Sequence, residues 1–452
     1  MRLGLVLIIG IFTYSSICYP PIIEKVSVEK NLLTITPNQQ FKDDYLTSDL
    51  FVRYNDKSIN LHEIDETILT IPFILSSISM IWHSGQQWEI SQMDEDLYFS
   101  LQKINKIFKL FFPEEQWNGE LIPQKLVPTY ITKDVKKKAI LFSGGLDAIC
   151  ASFAHINDDQ LLITIGGNDV PLNKNTMWAN VKKQARDFAK TYNKNNSFIV
   201  SNFFDFIKKN NPKIKQPFQR WWWYYTSQSL SYSGLVAPLL FWHKLPHLYL
   251  GSSFTIDYPF GWGTHPLLDN NISFCGIDVT HEQADLSRQD KLTFLEKLHK
   301  KKKIKKPKLR VCWNNDEIGD NCCKCEKCLR TINNIITELQ YPKTYGFNVD
   351  LKKAALKTKK FITKKQNFQP QFLDAYVVDW QTIQNRAEEQ LIQNKRTIKP
   401  DFYDYLTWFL SIDFKELWLQ ESLRPQEEWD FYTHLWELGL QGKTDIETLE
   451  AV

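Results

Sequence analysis

The chain has 452 residues, 43% of them hydrophobic and 24% charged, enough to bury a full core over two or three domains. A formal charge of +3 is too small to point to a nucleic-acid partner, and no segment after the N-terminus has the unbroken apolar run of a membrane span. That small charge hides an asymmetry, because residues 299–310 are strongly basic while acidic residues far outnumber basic ones from Asp401 onward. The ordinary reading of the basic run is a solvated loop. The alternative is contact with phosphate or an acidic partner.

Along the chain, Arg2 and the apolar stretch 3–12 resemble the charged and apolar regions of an export signal. Cys18 suggests a lipoprotein cysteine, but Ile17 before it is too bulky for a usual cleavage site. Residues 1–135 carry short apolar stretches, Leu32-Leu33-Thr34-Ile35 and 70–75, and end in a predicted helix over 95–111. This N-terminal α+β region shows no legible chemistry. Lys136-Lys137-Lys138 marks its boundary with a second region, 136–345.

There the pattern becomes regular. Strands are predicted at 139–142, 161–165, 197–200 and 247–250, with helices at 146–155, 176–192 and 224–243. Met177, Val181, Ala185 and Phe188 lie at helical spacing. This alternation implies an α/β fold with a mostly parallel sheet covered on both faces. Such sheets bind ligands at the carboxyl ends of their strands, where Ser143-Gly144-Gly145 and Gly251-Ser252-Ser253 both fall. A third region, 346–452, reads as helical, acidic and rich in aromatics (Trp380, Trp408, Trp418, Trp429, Trp436).

In the stretch Phe142-Ser143-Gly144-Gly145-Leu146-Asp147-Ala148, a strand delivers the chain to a turn that two glycines allow to pass close to a ligand. The amides opening the next helix suit an anion, and Ser143 adds a hydroxyl donor. No lysine follows, so this is not a Walker A loop. Asp147 would repel bare phosphate and asks for a cation, Mg²⁺ in the simplest reading. The bland alternative is a strand-to-helix turn with Asp147 favouring the helix dipole.

Ser143-Gly144-Gly145-Leu146-Asp147-Ala148 resembles the Ser-Gly-Gly-x-Asp-Ser signature of PP-loop ATP pyrophosphatases, with Ala148 in place of the usual serine. The resemblance implies an adenine nucleotide α-hydrolase-like core, with ATP bound through Phe142 to Ala148. Ser143 and Asp147 would serve the transfer of AMP to a carbonyl or carboxyl oxygen. One hydroxyl donor is missing at Ala148, a loss of about 1 kcal/mol if nothing replaces it.

Five of the eight cysteines fall in one window: Cys312, Cys322, Cys323, Cys325 and Cys328. Cys312 with Cys322-x-x-Cys325-x-x-Cys328 offers four thiolates for a closed, structural Zn²⁺ site. Cys323 breaks the three-residue step and is the spare. An iron–sulfur cluster is the competing occupant. A PP-loop followed by this cysteine spacing resembles the QueC-like 7-cyano-7-deazaguanine synthases, over about 139–331. The flanking regions, Asn321-Cys322-Cys323-Lys324-Cys325 and Gly263-Thr264-His265-Pro266 resemble an enlarged anti-phage-defence branch of the QatC type. The resemblance implies adenylation of 7-carboxy-7-deazaguanine followed by attack of an amine, with a protein of the same defence system as one acceptor. The implied cofactors are ATP, Mg²⁺ and Zn²⁺.

Ser252, Ser253, Asp257 and His265 are the substrate-contact candidates, and Asp257 suits the N–H groups of a guanine-like base. Trp221-Trp222-Trp223 either stack on a purine or fill the core. Arg330 either touches phosphate or caps its helix. Three other readings remain: a nucleotide-binding scaffold, a zinc-ribbon nucleic-acid binder, and a thiolation enzyme using Cys150. Use of ATP and clustered thiolates oppose export, so the expectation is a cytoplasmic protein with a buried first strand, no membrane contact and no nucleic-acid partner.

Overall fold

The computed structural model describes residues 19–131, 137–209, 211–214, 222–255, 261–314, 319–363, 373–418 and 426–441. The apolar stretch 3–12, expected as a buried strand, and Cys18, weighed as a lipoprotein cysteine, lie outside them.

Nine strands form one sheet: β1 (Ile23–Glu29), β2 (Leu32–Pro37), β3 (Leu50–Tyr54), β4 (Lys137–Leu141), β5 (Asp159–Gly166), β6 (Asn195–Ser201), β7 (His247–Gly251), β8 (Ser273–Phe274) and β9 (Ile277–Glu282). Their spatial order is β1-β2-β3-β6-β5-β4-β7-β9-β8. The run β6-β5-β4-β7-β9 is parallel throughout. From β4 the chain winds one way to β5 and β6, then crosses to the other side of β4 for β7 and β9. The order therefore reverses between β4 and β7, which opens a crevice at their carboxyl ends.

Alternate strand residues serve opposite faces. Ala139, Ile163, Ile199 and Leu248 join one core with α1 (Ile71–Ser84), α2 (Glu95–Phe111) and α5 (Gln228–Trp242). Ile140, Leu162 and Phe198 join another with α3 (Leu146–Ala154), α4 (Asn175–Thr191), α6 (Arg288–Lys302) and α7 (Glu326–Thr337). A period of two with both sides apolar is the pattern of a sheet covered on both faces.

Three features depart from the expected division. β3 pairs antiparallel with β6, so the region before residue 135 extends the same sheet and shares its core. α1 is buried along nearly its whole length, from Ile71 to Trp82, so it shows no polar face to betray it as a helix. The helix expected over 224–243 opens instead as a π-helical turn, Trp223–Ser227, before α5.

The third region is helical: α8 (Leu351–Ile362), α9 (Leu373–Gln393), α10 (Pro400–Leu410) and α11 (Gln426–Leu440). Trp380 and Trp436 are fully buried, so their indoles pack the fold. No helix among the described residues is long and apolar enough to cross a membrane.

Candidate functional site

β4 ends at Leu141, and the next residues turn tightly into α3. Gly144 sits at φ +77°, a region that L side chains rarely adopt. Gly145 caps α3 with its backbone alone, and its N–H donates to Ser143 Oγ at 3.2 Å. No side chain caps the helix, so its first amides are available to an anion. Phe142 supports the loop from below: it is buried against Phe188, and its carbonyl accepts from Thr164 Oγ1 at 2.7 Å. Leu146 and Ala148 also face the core.

The end of β7 presses against this turn. A Cβ on Gly251 would stand 2.7 Å from the Asp147 carbonyl, which explains the glycine. Ser252 follows, fully buried, and its carbonyl accepts from Lys291 Nζ at 2.6 Å. Its hydroxyl donates to the Phe254 carbonyl. Ser252 thus holds a lysine in place through its carbonyl, and its hydroxyl proton is engaged within the same loop. Ser253 is exposed and lines a small cavity with Arg288 and Asp379.

Asp147 is the centre of the charge arrangement. Its Oδ2 pairs with Arg288 Nη1 at 2.6 Å, and Oδ1 lies 3.6 Å from Lys291 Nζ. Burial pushes the carboxyl up, but Arg288, then Lys291 and Lys327, outweigh it and hold it below its ordinary value. The counter-charge asked of Mg²⁺ is therefore supplied by the protein. One carboxylate among cations does not make a magnesium site, so any magnesium would have to arrive on the phosphates.

The cations themselves are short of anions. Lys291, Lys327 and Arg310 are each pulled below their ordinary values, first by burial. Asp147 opposes this at Lys291, and Asp169 opposes it at Lys327 and Arg310. Arg288, although 4% exposed, has Nε and Nη2 without a partner among the described residues. Buried donors of this kind are normally satisfied, and an anionic ligand would satisfy them. Arg330 differs, because Glu326 and Asp379 pair with it.

Sequence reasoning missed Arg288, Lys291, Lys327 and Asp169, and it named Arg310 only as the end of a basic run read as solvated or as touching phosphate. Arg288 and Lys291 lie on α6, whose buried face mixes Arg288, Gln289, Lys291, Glu296 and His299 with Leu292 and Leu295 and so gives only a weak apolar period. Asp169 follows Gly166-Gly167 at the end of β5. A Cβ on Gly167 would strike the Ser201 carbonyl at 1.8 Å, so that pair of glycines was an available signal.

Beside the loop, Cys312, Cys322, Cys325 and Cys328 bring all four sulfurs within 4.8 Å of one another. Two pairs, Cys312–Cys325 and Cys322–Cys328, stand 3.9 Å apart. A tetrahedron of Zn–S bonds of ~2.3 Å places sulfurs about 3.8 Å apart, so the set could hold a zinc ion. Backbone N–H groups of Asn314 and Cys325 approach the Cys312 and Cys322 sulfurs at 3.3 Å. Cys323 turns away at φ +52°, its thiol directed to the Asn321 carbonyl, and is outside the set.

The remaining candidates disperse. His265 is fully buried between Phe111 and Trp436, away from the crevice mouth where it was expected. Its Nδ1 accepts from Leu267 N–H and caps the short helix Pro266–Asp269. Asp257 and Trp221 lie outside the described residues. Trp222 packs on His83 and Trp117, and Trp223 on Phe203, so both serve the core. Cys150 is fully buried on α3, its thiol pushed up by burial and directed to the Lys291 carbonyl, unsuited to a nucleophile.

No protein-family model matches the chain, and no curated protein or solved structure matches it.

Proposed function

We propose that the protein is an ATP-dependent, AMP-forming ligase of the QueC-like kind, working in the cytoplasm on a deazaguanine-type acid. The observation that carries this reading is the convergence of Arg288, Lys291, Arg310 and Lys327 on an uncapped helix start at the sheet's reversal point. Fixed donors around developing phosphate charge are the main catalytic resource for such a transfer. A substrate carboxylate oxygen bonds to the α-phosphorus of ATP as the bond to the leaving pyrophosphate breaks. Loop amides, Ser143 and the four cations take up the pyrophosphate charge. An amine then attacks the acyl carbon, AMP leaves, and the nitrogen gives up its proton. The amine belongs to ammonia, as in nitrile synthesis, or to a protein of the same defence system.

Incubation with ATP and 7-carboxy-7-deazaguanine tests this, with AMP and pyrophosphate quantified and products weighed by mass spectrometry. AMP and pyrophosphate released in equal amounts are expected. Formation of ADP, or no turnover with any amine, would overturn it. The ion pairing of Asp147 with Arg288 and Lys291, together with Ala148, favours a second reading as a nucleotide-binding scaffold. That reading predicts ATP binding without turnover.

A further inference from the structure

We propose that the four-thiolate site and the 143–147 loop are thermodynamically linked, with Arg310, held against the Ser143 and Gly144 carbonyls, as the residue that joins them. The inference rests on the reading that this loop takes the pyrophosphate end of a nucleotide.

The connection is a short chain of hydrogen bonds. Arg310 N–H donates to the Gly144 carbonyl at 2.7 Å, and its Nε donates to the Ser143 carbonyl at 3.1 Å. These are the two residues whose backbone makes the turn. Cys312 stands two positions further on. Between them, Val311 N–H donates to Asn321 Oδ1 at 3.0 Å, and Asn321 Nδ2 donates to the Leu309 carbonyl at 2.8 Å. Asn321 directly precedes Cys322. One two-way amide clamp therefore fixes the Arg310 segment to the cysteine hairpin. On the far side of the hairpin, Lys327 lies between Cys325 and Cys328 and faces the field of Asp147, Arg288 and Asp169.

A metal held by the four sulfurs fixes Cys312 relative to Cys322, Cys325 and Cys328. It thereby fixes both Arg310 against the loop and Lys327 beside the anion. Without it, the hairpin keeps its amide clamp and the core packing of Val311, Cys323, Cys328 and Leu329, but loses the bond that ties Cys312 to the other three cysteines. An anion bound to the loop pulls on the same Ser143 and Gly144 peptides from the opposite side. Linkage is reciprocal, so an anion that the metal helps to bind must in turn help to hold the metal. Couplings of this kind amount to roughly 5–150-fold in affinity.

The test uses the full chain with pyrophosphate as the probe. Calorimetry first measures pyrophosphate binding to the zinc-loaded protein. Zinc release to an excess of chromophoric chelator is then timed with and without pyrophosphate, and the absorption of the cobalt-loaded protein is followed during the same titration. Release about tenfold slower and a shifted cobalt thiolate band are expected. Free pyrophosphate binds zinc and would speed release, so slowing cannot come from the anion in solution. Arg310→Ala should bind cobalt yet lose the band shift, and Arg310→Lys, which keeps a charge and a donor, should restore part of it. Pyrophosphate binding that leaves both the cobalt band and the release rate unchanged in the native protein would overturn the linkage while the proposed function stands. No pyrophosphate binding at all would overturn both.

Discussion

Gly144 shows how little of the site depends on special side chains. Its positive φ turns the chain so that the α3 amides and the Ser143 hydroxyl face the same space, and Arg310 holds both carbonyls behind it. Gly144→Ala forces an L side chain into that region, at a cost of about 1–2 kcal/mol. The expected result is a fall in urea-unfolding stability of that size with loss of ATP binding by calorimetry. Retained binding would mean that the turn is only a connector. Asp147, legible as an acid after the two glycines, carried no sign of its partners. Arg288 and Lys291 stand more than 140 positions later, and pairing across that distance leaves no local pattern.

Two of the helices that build the site bury charged side chains. α6 buries Arg288, Lys291 and Glu296, and α7 buries Glu326 and Arg330, because these faces serve the charge cluster as well as the core. The C-terminal helices hold α7 from behind: Asp379 pairs with Arg330, Trp380 Nε1 donates to Glu326, and Tyr405 donates to Asn333 at 2.7 Å. The cysteine hairpin ties α7 to the loop. One zinc per chain is expected by elemental analysis. Cys325→Ser should lose the zinc and lower Tm, whereas Cys323→Ser should keep it, since the Cys323 thiol points to the Asn321 carbonyl. Equal loss in both variants would show that the ligand set is misassigned.

On the scale of the whole molecule, α11 returns to pack on the helix Pro266–Asp269, with Gly439 against Leu267 and Trp436 against His265. Burial, and then the neighbouring His281, hold His265 well below its ordinary value. His299 is lowered chiefly by burial. An unfolded histidine titrates near ~6.5, so below that pH the unfolded chain takes up protons that the folded chain refuses. Stability should therefore fall with pH from about 6.5 downward, by at most ~1.4 kcal/mol per pH unit for each such group. Asp269 accepts from His281 and from Thr264, and His265 Nε2 has no hydrogen-bond partner among the described residues. His265→Asn keeps a cap residue and removes this titration. Urea unfolding between pH 7.5 and 5 should show a shallower slope for that variant, and an unchanged slope would assign the effect elsewhere.

Local signals were enough for the strands that became β4 to β7, the α/β alternation, the two-glycine turn and the thiolate spacing. Each is set by residues within one or two turns of chain, where period and backbone freedom act directly. Tertiary structure alone decided that β1 to β3 extend the same sheet, that His265 belongs to the core, and that Asp147 is answered by arginine and lysine. These outcomes depend on groups distant in sequence meeting in a low-dielectric interior, where an unpaired charge is costly and partners are selected by position in space.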